Sequence, residues 1–153
     1  MVAPNEKMPL DFLRLVYVSS LVDEYGFALA PLLTTLSRDY VAGQVSSLTV
    51  FANGSLMQML EGERAPVRTA FAHVRAEPVH FGITLLVEDP IAEPSIGGTH
   101  LGLLQFVHEI GRTMSPSVEL FQLSPTELSK RLPANDVLPL FTSFASGSRG
   151  VAC

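Results

Sequence analysis

Hydrophobic and polar positions along the first two thirds of the chain follow two different periods, which predicts a mixture of strands and helices. The run FLRLVYVSSL at 12–21 is rich in Leu, Val and Tyr. Its alternation predicts a buried strand, with one face formed by Leu13, Leu15, Tyr17 and Ser19. A helical spacing of leucines follows, at Leu29, Leu32, Leu33 and Leu36. Because Pro31 is tolerated only in a first turn, this helix is predicted to start near residue 28.

Two further strands are predicted around a tight turn. The stretch QVSSLTVFANGSLMQMLEG contains Asn53-Gly54, a dipeptide typical of two-residue hairpins. Strands are therefore predicted at about 45–52 and 55–61. A single amide, Gln58, lies in the middle of the second apolar run and needs an explanation.

A second helix and two more strands complete the pattern. Apolar residues at i, i+3, i+4 and i+7 predict an amphipathic helix that ends before Pro78: Val67, Ala70, Phe71 and Val74. HFGITLLVE at 80–88 predicts a strand, and IGGTHLGLLQF at 96–106 predicts a weaker one, bent by glycines at the edge of the sheet.

The resulting order, β-α-β-β-α-β-β, predicts an α+β fold of ferredoxin-like type, with two helices on one face of a sheet. In the tail, SPTE at 124–127 predicts a capped helix. A second helix is predicted from the spacing of Val137, Leu140, Phe141 and Phe144. We expect these helices to cover the other face of the sheet. The predicted organisation is an arm at 1–10, a domain at 11–106, a helical extension at 107–146 and a frayed end at 147–153.

Composition narrows the classes of function. The 153 residues are 47% hydrophobic and 16% charged, with a formal net charge of −5, which argues for a packed core and against a nucleic-acid binder. No apolar run approaches the length of a membrane span, and the N-terminus lacks the layout of a signal peptide. A cytoplasmic protein without membrane contact is the expectation.

Three stretches carry a resemblance to a known family: LRLVYVSS, QVSSLTVFANGSLMQMLEG and HFGITLLVEDPIAE. Together they resemble the BLUF domain, a flavin-based sensor of blue light, over roughly residues 11–105. The family has the same order of strands and helices, and its flavin (FAD or FMN) lies between the two helices. The resemblance implies that Tyr17 gives an electron and a proton to the flavin and that the Gln58 amide rearranges in response. A glutamine suits that role because its amide both donates and accepts hydrogen bonds.

The resemblance also implies a cofactor-binding set on the helices predicted at 28–39 and 65–76 and just after them. Tyr40 aligns with a family asparagine that contacts the flavin, and His73 with a basic residue. The full implied set is Leu32, Leu36, Asp39, Tyr40, His73, Val74 and His80. The signal is expected to pass through the last strand and the tail to a partner protein, and the apolar faces of the tail suggest a homo-oligomer.

Two other interpretations remain open. Because Tyr40 replaces the asparagine and Val45-Ser46-Ser47 replaces the family's Ile-Thr-Gly, the chain could be a flavin-free module for protein interaction or oligomerisation. An enzyme of the acylphosphatase kind shares the architecture but needs an Arg/Asn pair around a phosphate loop, which the sequence lacks. The histidines are scattered and predict no metal site. We therefore expect a protein that is not an enzyme.

Overall fold

The computed structural model describes residues 11–23, 25–132 and 137–150, with side chains described to residue 146. The predicted arm at 1–10 lies outside the described residues. In chain order the elements are β1 (Phe12–Leu21), α1 (Leu29–Gly43), β2 (Ser46–Ala52), β3 (Ser55–Glu63), α2 (Arg64–Ala76), β4 (His80–Ile91), β5 (Thr99–Leu103), α3 (Val107–Gly111), β6 (Val118–Gln122), α4 (Pro125–Arg131) and α5 (Val137–Gly150).

The six strands of the described residues form one sheet, in the order β4-β1-β3-β2-β5-β6. β1 pairs antiparallel with both β3 and β4, and β2 pairs antiparallel with β3. β5 lies parallel to β2 and to β6. The predicted α+β, ferredoxin-like fold is confirmed, and β3 lies in the middle of the sheet with β1 and β2 on its two sides.

The β2–β3 hairpin turns at the predicted dipeptide. Asn53 has φ 52° and Gly54 has φ 83°, so both central residues adopt the left-handed conformation that such two-residue turns require. This turn fixes the register of the hairpin, which brings Thr49 opposite Gln58.

Helices cover both faces of the sheet. Apolar residues of α1 and α2 pack on one face against Leu13, Leu15 and Tyr17 of β1. On the other face, residues of α4 and α5 pack against Val16, Met57 and Met59. The predicted cover of the second face by the tail helices is therefore confirmed. The face of β1 that carries Tyr17 is the one under α1 and α2.

The structure of the segment after residue 103 differs from the one that the sequence predicts. The sequence pattern predicts no strand there, but β6 pairs in parallel with β5 and extends the sheet. β5, predicted as an edge strand at 96–106, is therefore an interior strand that spans Thr99–Leu103. Helix α5 extends to Gly150, residues 151–153 lie outside the described residues, and the frayed end at 147–153 stays a prediction.

The tail helix α4 begins at the predicted capping box. Ser124 is its N-cap, and the hydroxyl of Ser124 accepts a hydrogen bond from the backbone N–H of Glu127 at 3.1 Å. Across the described ranges, none of the helices has both the length and the apolar character needed to cross a membrane.

Candidate functional site

Three polar side chains form a line across the centre of the sheet. Tyr17 on β1 is opposite Gln58 on β3, and Gln58 is opposite Thr49 on β2. The Tyr17 hydroxyl donates to Gln58 Oε1 at 2.8 Å, and Gln58 Nε2 donates to Thr49 Oγ1 at 2.6 Å. Each end of the Gln58 amide therefore has a partner on a neighbouring strand, which explains how a glutamine lies inside an apolar run.

This line is fully removed from solvent. Tyr17, Thr49 and Gln58 are each 0% exposed. A buried polar group that loses its partner costs about 1–3 kcal/mol, so the two hydrogen bonds are needed for the amide to be accommodated at all. Burial raises the pKa of the Tyr17 phenol well above its usual value. Tyr17 therefore stays neutral and keeps the proton that it donates to Gln58.

Two rings border Tyr17 on the helix side of the sheet. The centroid of Phe71 lies 5.5 Å from that of Tyr17, and the His80 ring lies 6.1 Å away in an edge-on arrangement. His80 is itself bonded on both sides, with Nδ1 at 3.0 Å from Ser19 Oγ and Nε2 at 2.7 Å from the carbonyl oxygen of Val74. Because that carbonyl only accepts, Nε2 carries a hydrogen, and in the neutral imidazole Nδ1 then accepts from Ser19 Oγ. His80 thus anchors the start of β4 to α2.

The cleft between α1 and α2 is closed by packed side chains. Leu32, Leu36 and Val74, predicted as walls of a flavin site, are each 0% exposed and belong to one core cluster. Near the surface, His73 Nδ1 lies 3.0 Å from Asp39 Oδ1. One turn earlier on α1, the Thr35 hydroxyl donates to Oε1 of Glu77, the C-cap of α2, at 2.7 Å. The predicted residues Asp39 and His73 are thus brought together, but as a pair that joins the two helices.

Tyr40 takes a different position from the rest of the predicted set. It lies near the end of α1 and is 39% exposed. Its ring does not fill the interior between α1 and α2, which is occupied by the leucines and Val74. The cofactor role of Tyr40 stays a prediction.

Open grooves remain on the outer side of this closed cleft. One, of about 290 Å³, is lined by Thr35, Arg38, Asp39, His73, Ala76 and Glu77. A second, of about 330 Å³, lies beside Asp39, Gly43, Val45 and Pro66. Cofactor sites generally enclose most of their ligand, and these grooves do not. The fit to a flavin is therefore partial: the responsive pair Tyr17–Gln58 is present and the walls are apolar, but α1 and α2 would have to separate to admit the ring.

Sequence reasoning missed Thr49, one of the three residues of the polar line, and the neighbouring Ser47. Thr49 was not singled out, although counting back from the Asn53-Gly54 turn brings it opposite Gln58. Ser47 lies two residues earlier on the same face of β2, and its buried hydroxyl has no partner among the described residues. No periodicity in the sequence identifies an unpartnered hydroxyl, because its state depends on what packs above it.

Comparison with known proteins gives one family. The model of the BLUF family, described as sensors of blue-light using FAD, matches residues 12–101 of the 153-residue chain. The comparison with curated protein sequences gives no match. The matched range includes β1, α1, β2, β3, α2, β4 and part of β5, and thus all the residues of the polar line.

Several solved structures share the fold. The structure titled BlrP1 BLUF is 17% identical with a TM-score of 0.62, and the match covers 87% of this chain and 88% of that one. Klebsiella pneumoniae BlrP1 with FMN and cyclic diGMP is 22% identical with a TM-score of 0.59, over 90% and 37% of the two chains. BlsA in its photo-activated state is 20% identical with a TM-score of 0.54, over 78% and 74%. The chain thus spans about a third of the length of the longer BlrP1 chains.

Proposed function

The chain belongs to the BLUF family, the sensors of blue-light using FAD, and on that premise we propose that it senses blue light through a bound flavin, with Tyr17 and Gln58 as its responsive pair. The observation that carries this proposal is the buried hydrogen bond from the Tyr17 hydroxyl to Gln58 Oε1 at 2.8 Å. A neutral phenol and an amide that both donates and accepts are the groups that such a response needs.

The roles of the residues follow from their chemistry. A bound flavin, FAD or FMN, would supply the absorption of blue light and an acceptor for an electron. Tyr17 holds its proton because burial raises its pKa, and Gln58 presents an oxygen to that proton and an N–H to the opposite side. Leu32, Leu36 and Val74 offer apolar walls, while Asp39 and His73 lie nearer the surface of the cleft.

The output of this sensor is a protein partner. The described chain forms one sheet covered on both faces by helices, and β5 and β6 connect the centre of the sheet to α4 and α5. A change at Gln58 has a short path to this side, since Met57 and Met59 on the opposite face of the same strand pack in the cluster that contains Leu128 and Phe141. We propose a signalling partner or a second copy of the chain as the recipient.

A second candidate function is favoured by one observation, the closed packing between α1 and α2. The walls predicted for the flavin are fully buried against one another, and Asp39–His73 and Thr35–Glu77 join the two helices. With this cleft kept shut, the fold would serve as a flavin-free module for protein interaction or oligomerisation. The two candidates make opposite predictions about flavin retention.

An absorption spectrum separates the candidates. The purified protein is incubated with excess FAD, passed through a desalting column and illuminated with blue light. Retained flavin bands that shift reversibly to longer wavelength on illumination are the expected result for the sensor. Retained flavin without a shift would contradict the role of Tyr17 and Gln58. No retained FAD, with FMN tested in the same way, would reject the sensor and leave the interaction module.

A further inference from the structure

Thr49 provides the partner of Gln58 on the side away from Tyr17. Gln58 Nε2 donates to Thr49 Oγ1 at 2.6 Å, and both residues are 0% exposed. With water excluded, the amide nitrogen has this hydroxyl as its acceptor on β2. Thr49 is therefore as closely tied to the amide as Tyr17 is, although only Tyr17 was expected to act on it.

The two hydroxyls on either side of the amide have the same hydrogen-bonding capacity. Both a phenol and an aliphatic hydroxyl donate one hydrogen bond and accept others. In the arrangement observed, Tyr17 donates to Gln58 Oε1 and Thr49 accepts from Nε2. If the amide turns over, Tyr17 accepts from Nε2 and Thr49 donates to Oε1. The amide thus makes two hydrogen bonds in either orientation, with the same two partners.

We propose that Thr49 is the third member of the switch, a positioning residue that responds to the state of Tyr17 through the Gln58 amide. The inference rests on the proposed function, in which Gln58 is the group that rearranges. Thr49 lowers the free-energy cost of turning the Gln58 amide, because it offers the amide a hydrogen-bond partner in both orientations. It also carries the change onward, since turning the amide converts Thr49 from an acceptor on β2 to a donor.

Tyr17 and Thr49 lie on strands that are separated by β3. β1 and β2 are both paired to β3 and are not paired to each other. Adjacent strands are separated by about 4.8 Å, so the two residues are on strands roughly twice that distance apart. Members of one hydrogen-bond network are energetically coupled, whereas distant independent sites are additive. Coupling between Tyr17 and Thr49 that depends on the Gln58 amide therefore reports on the hydrogen bonds through Gln58.

A double-mutant cycle measures this coupling without any flavin. Tyr17→Phe and Thr49→Val each remove one hydroxyl with little change of shape, and urea unfolding gives the equilibrium constant for each variant and for the double variant. We expect the double variant to deviate from the product of the single effects by more than about threefold. The same cycle in a Gln58→Leu background should lose the deviation, since the connecting amide is gone.

Thr49→Ser is the matched control, because it keeps the hydroxyl and removes only a methyl group. Combined with Tyr17→Phe, Thr49→Ser should give additive effects on stability, since the hydrogen bond to Gln58 Nε2 is retained. Additive effects of Tyr17→Phe and Thr49→Val, or coupling that survives in Gln58→Leu, would overturn the proposal. If a variant does not fold, Thr49→Ala or Gln58→Met completes the same cycle.

The outcome of this cycle is independent of the flavin experiment. A chain that retains no FAD can still show coupling through Gln58, which would leave the sensor rejected and the three-residue network intact. A chain that retains FAD and responds to light can equally show additive effects, which would limit the switch to Tyr17 and Gln58.

Discussion

Tyr17 and Gln58 are opposite each other on neighbouring antiparallel strands, and the phenol of one donates to the amide oxygen of the other at 2.8 Å. Both side chains point to the face of the sheet that α1 and α2 cover. Side chains directly opposite on such strands are the closest neighbours that a sheet offers. The pairing of β1 with β3 thus produces the hydrogen bond from which the following predictions start.

Gln58→Leu should abolish a light response while leaving the fold intact. The leucine has a similar volume and removes both hydrogen-bonding groups, so Tyr17 and Thr49 lose their common partner. In protein that retains FAD, we expect the flavin bands to remain and the reversible shift to disappear. Gln105→Leu, at an exposed glutamine, should leave the shift unchanged. A full shift in Gln58→Leu would contradict the role assigned to Gln58.

Stability should fall at alkaline pH because of Tyr17. Burial raises the pKa of its phenol, so above about pH 10, where the tyrosine of an unfolded chain ionises, the native state binds more protons than the unfolded state. The stabilisation is complete below that pH and is lost as the pH rises through the folded pKa. Urea titrations at increasing pH should show this loss, and Tyr17→Phe should flatten it.

Tyr25→Phe provides the control for the alkaline titrations. Tyr25 is 51% exposed, so its loss removes a tyrosine without touching the buried network. We expect its pH profile to follow that of the unchanged protein. If the free energy of unfolding falls equally steeply with pH in Tyr17→Phe and in Tyr25→Phe, Tyr17 does not control the alkaline loss of stability.

Leu36→Ala tests whether the interior between α1 and α2 is packed. Leu36 is 0% exposed, and removing such a side chain from a core costs about 2–5 kcal/mol of unfolding free energy. Val41 lies on the same helix and is 83% exposed, so Val41→Ala should change stability by less than about 0.5 kcal/mol. Chemical denaturation of both variants makes the comparison. A cost below about 1 kcal/mol for Leu36→Ala would indicate a loosely filled cleft.

Glu61→Gln should release the connection between β4 and β5. The buried Glu61 carboxylate accepts from Arg14 Nε at 2.6 Å and from the backbone N–H of Ser95 at 2.7 Å. Breaking a buried ion pair costs about 3–5 kcal/mol. We expect faster hydrogen exchange at 92–98, together with reduced stability. Glu88→Gln, in the exposed pair with Arg68, should cost at most about 1 kcal/mol and leave exchange at 92–98 unchanged.

Gly102→Ala should destabilise the junction of β5 and β6. A Cβ at this position would lie 2.5 Å from the Phe121 ring. The Arg131 guanidinium also packs over that ring, 3.8 Å from its centroid. Overpacking of this kind costs about 1–3 kcal/mol. Gly97→Ala has open space around the new methyl group and should be close to neutral in the same thermal unfolding experiment.

Local patterns predicted the elements that depend on neighbours in sequence. β1 spans 12–21 as expected, and the Asn53-Gly54 turn, the buried leucines of α1 and the capping box of α4 are all confirmed. β6 could not be found in this way. Its five residues, VELFQ, are too few for a clear period. They become a strand by parallel pairing with β5, a contact between segments that are separated by α3.

In the candidate site, too, features set by strand register were predictable, and features set by helix packing were not. The Tyr17–Gln58 pair was implied by the resemblance, and the hairpin count would have added Thr49. The closure of α1 on α2 was not predictable, because helical periodicity identifies which face is apolar but not how far two apolar faces lie from each other. Cross-links such as Asp39–His73 depend on that separation and on the rotation of both helices.

The line of Tyr17, Gln58 and Thr49 also has a consequence for folding. A slip of one residue in the pairing of β1, β3 and β2 would exchange the two faces of a strand. Gln58 would then meet apolar side chains on both sides, and its amide would be left without partners in the core. The three side chains therefore favour the native strand register over a shifted one, independently of any response to light.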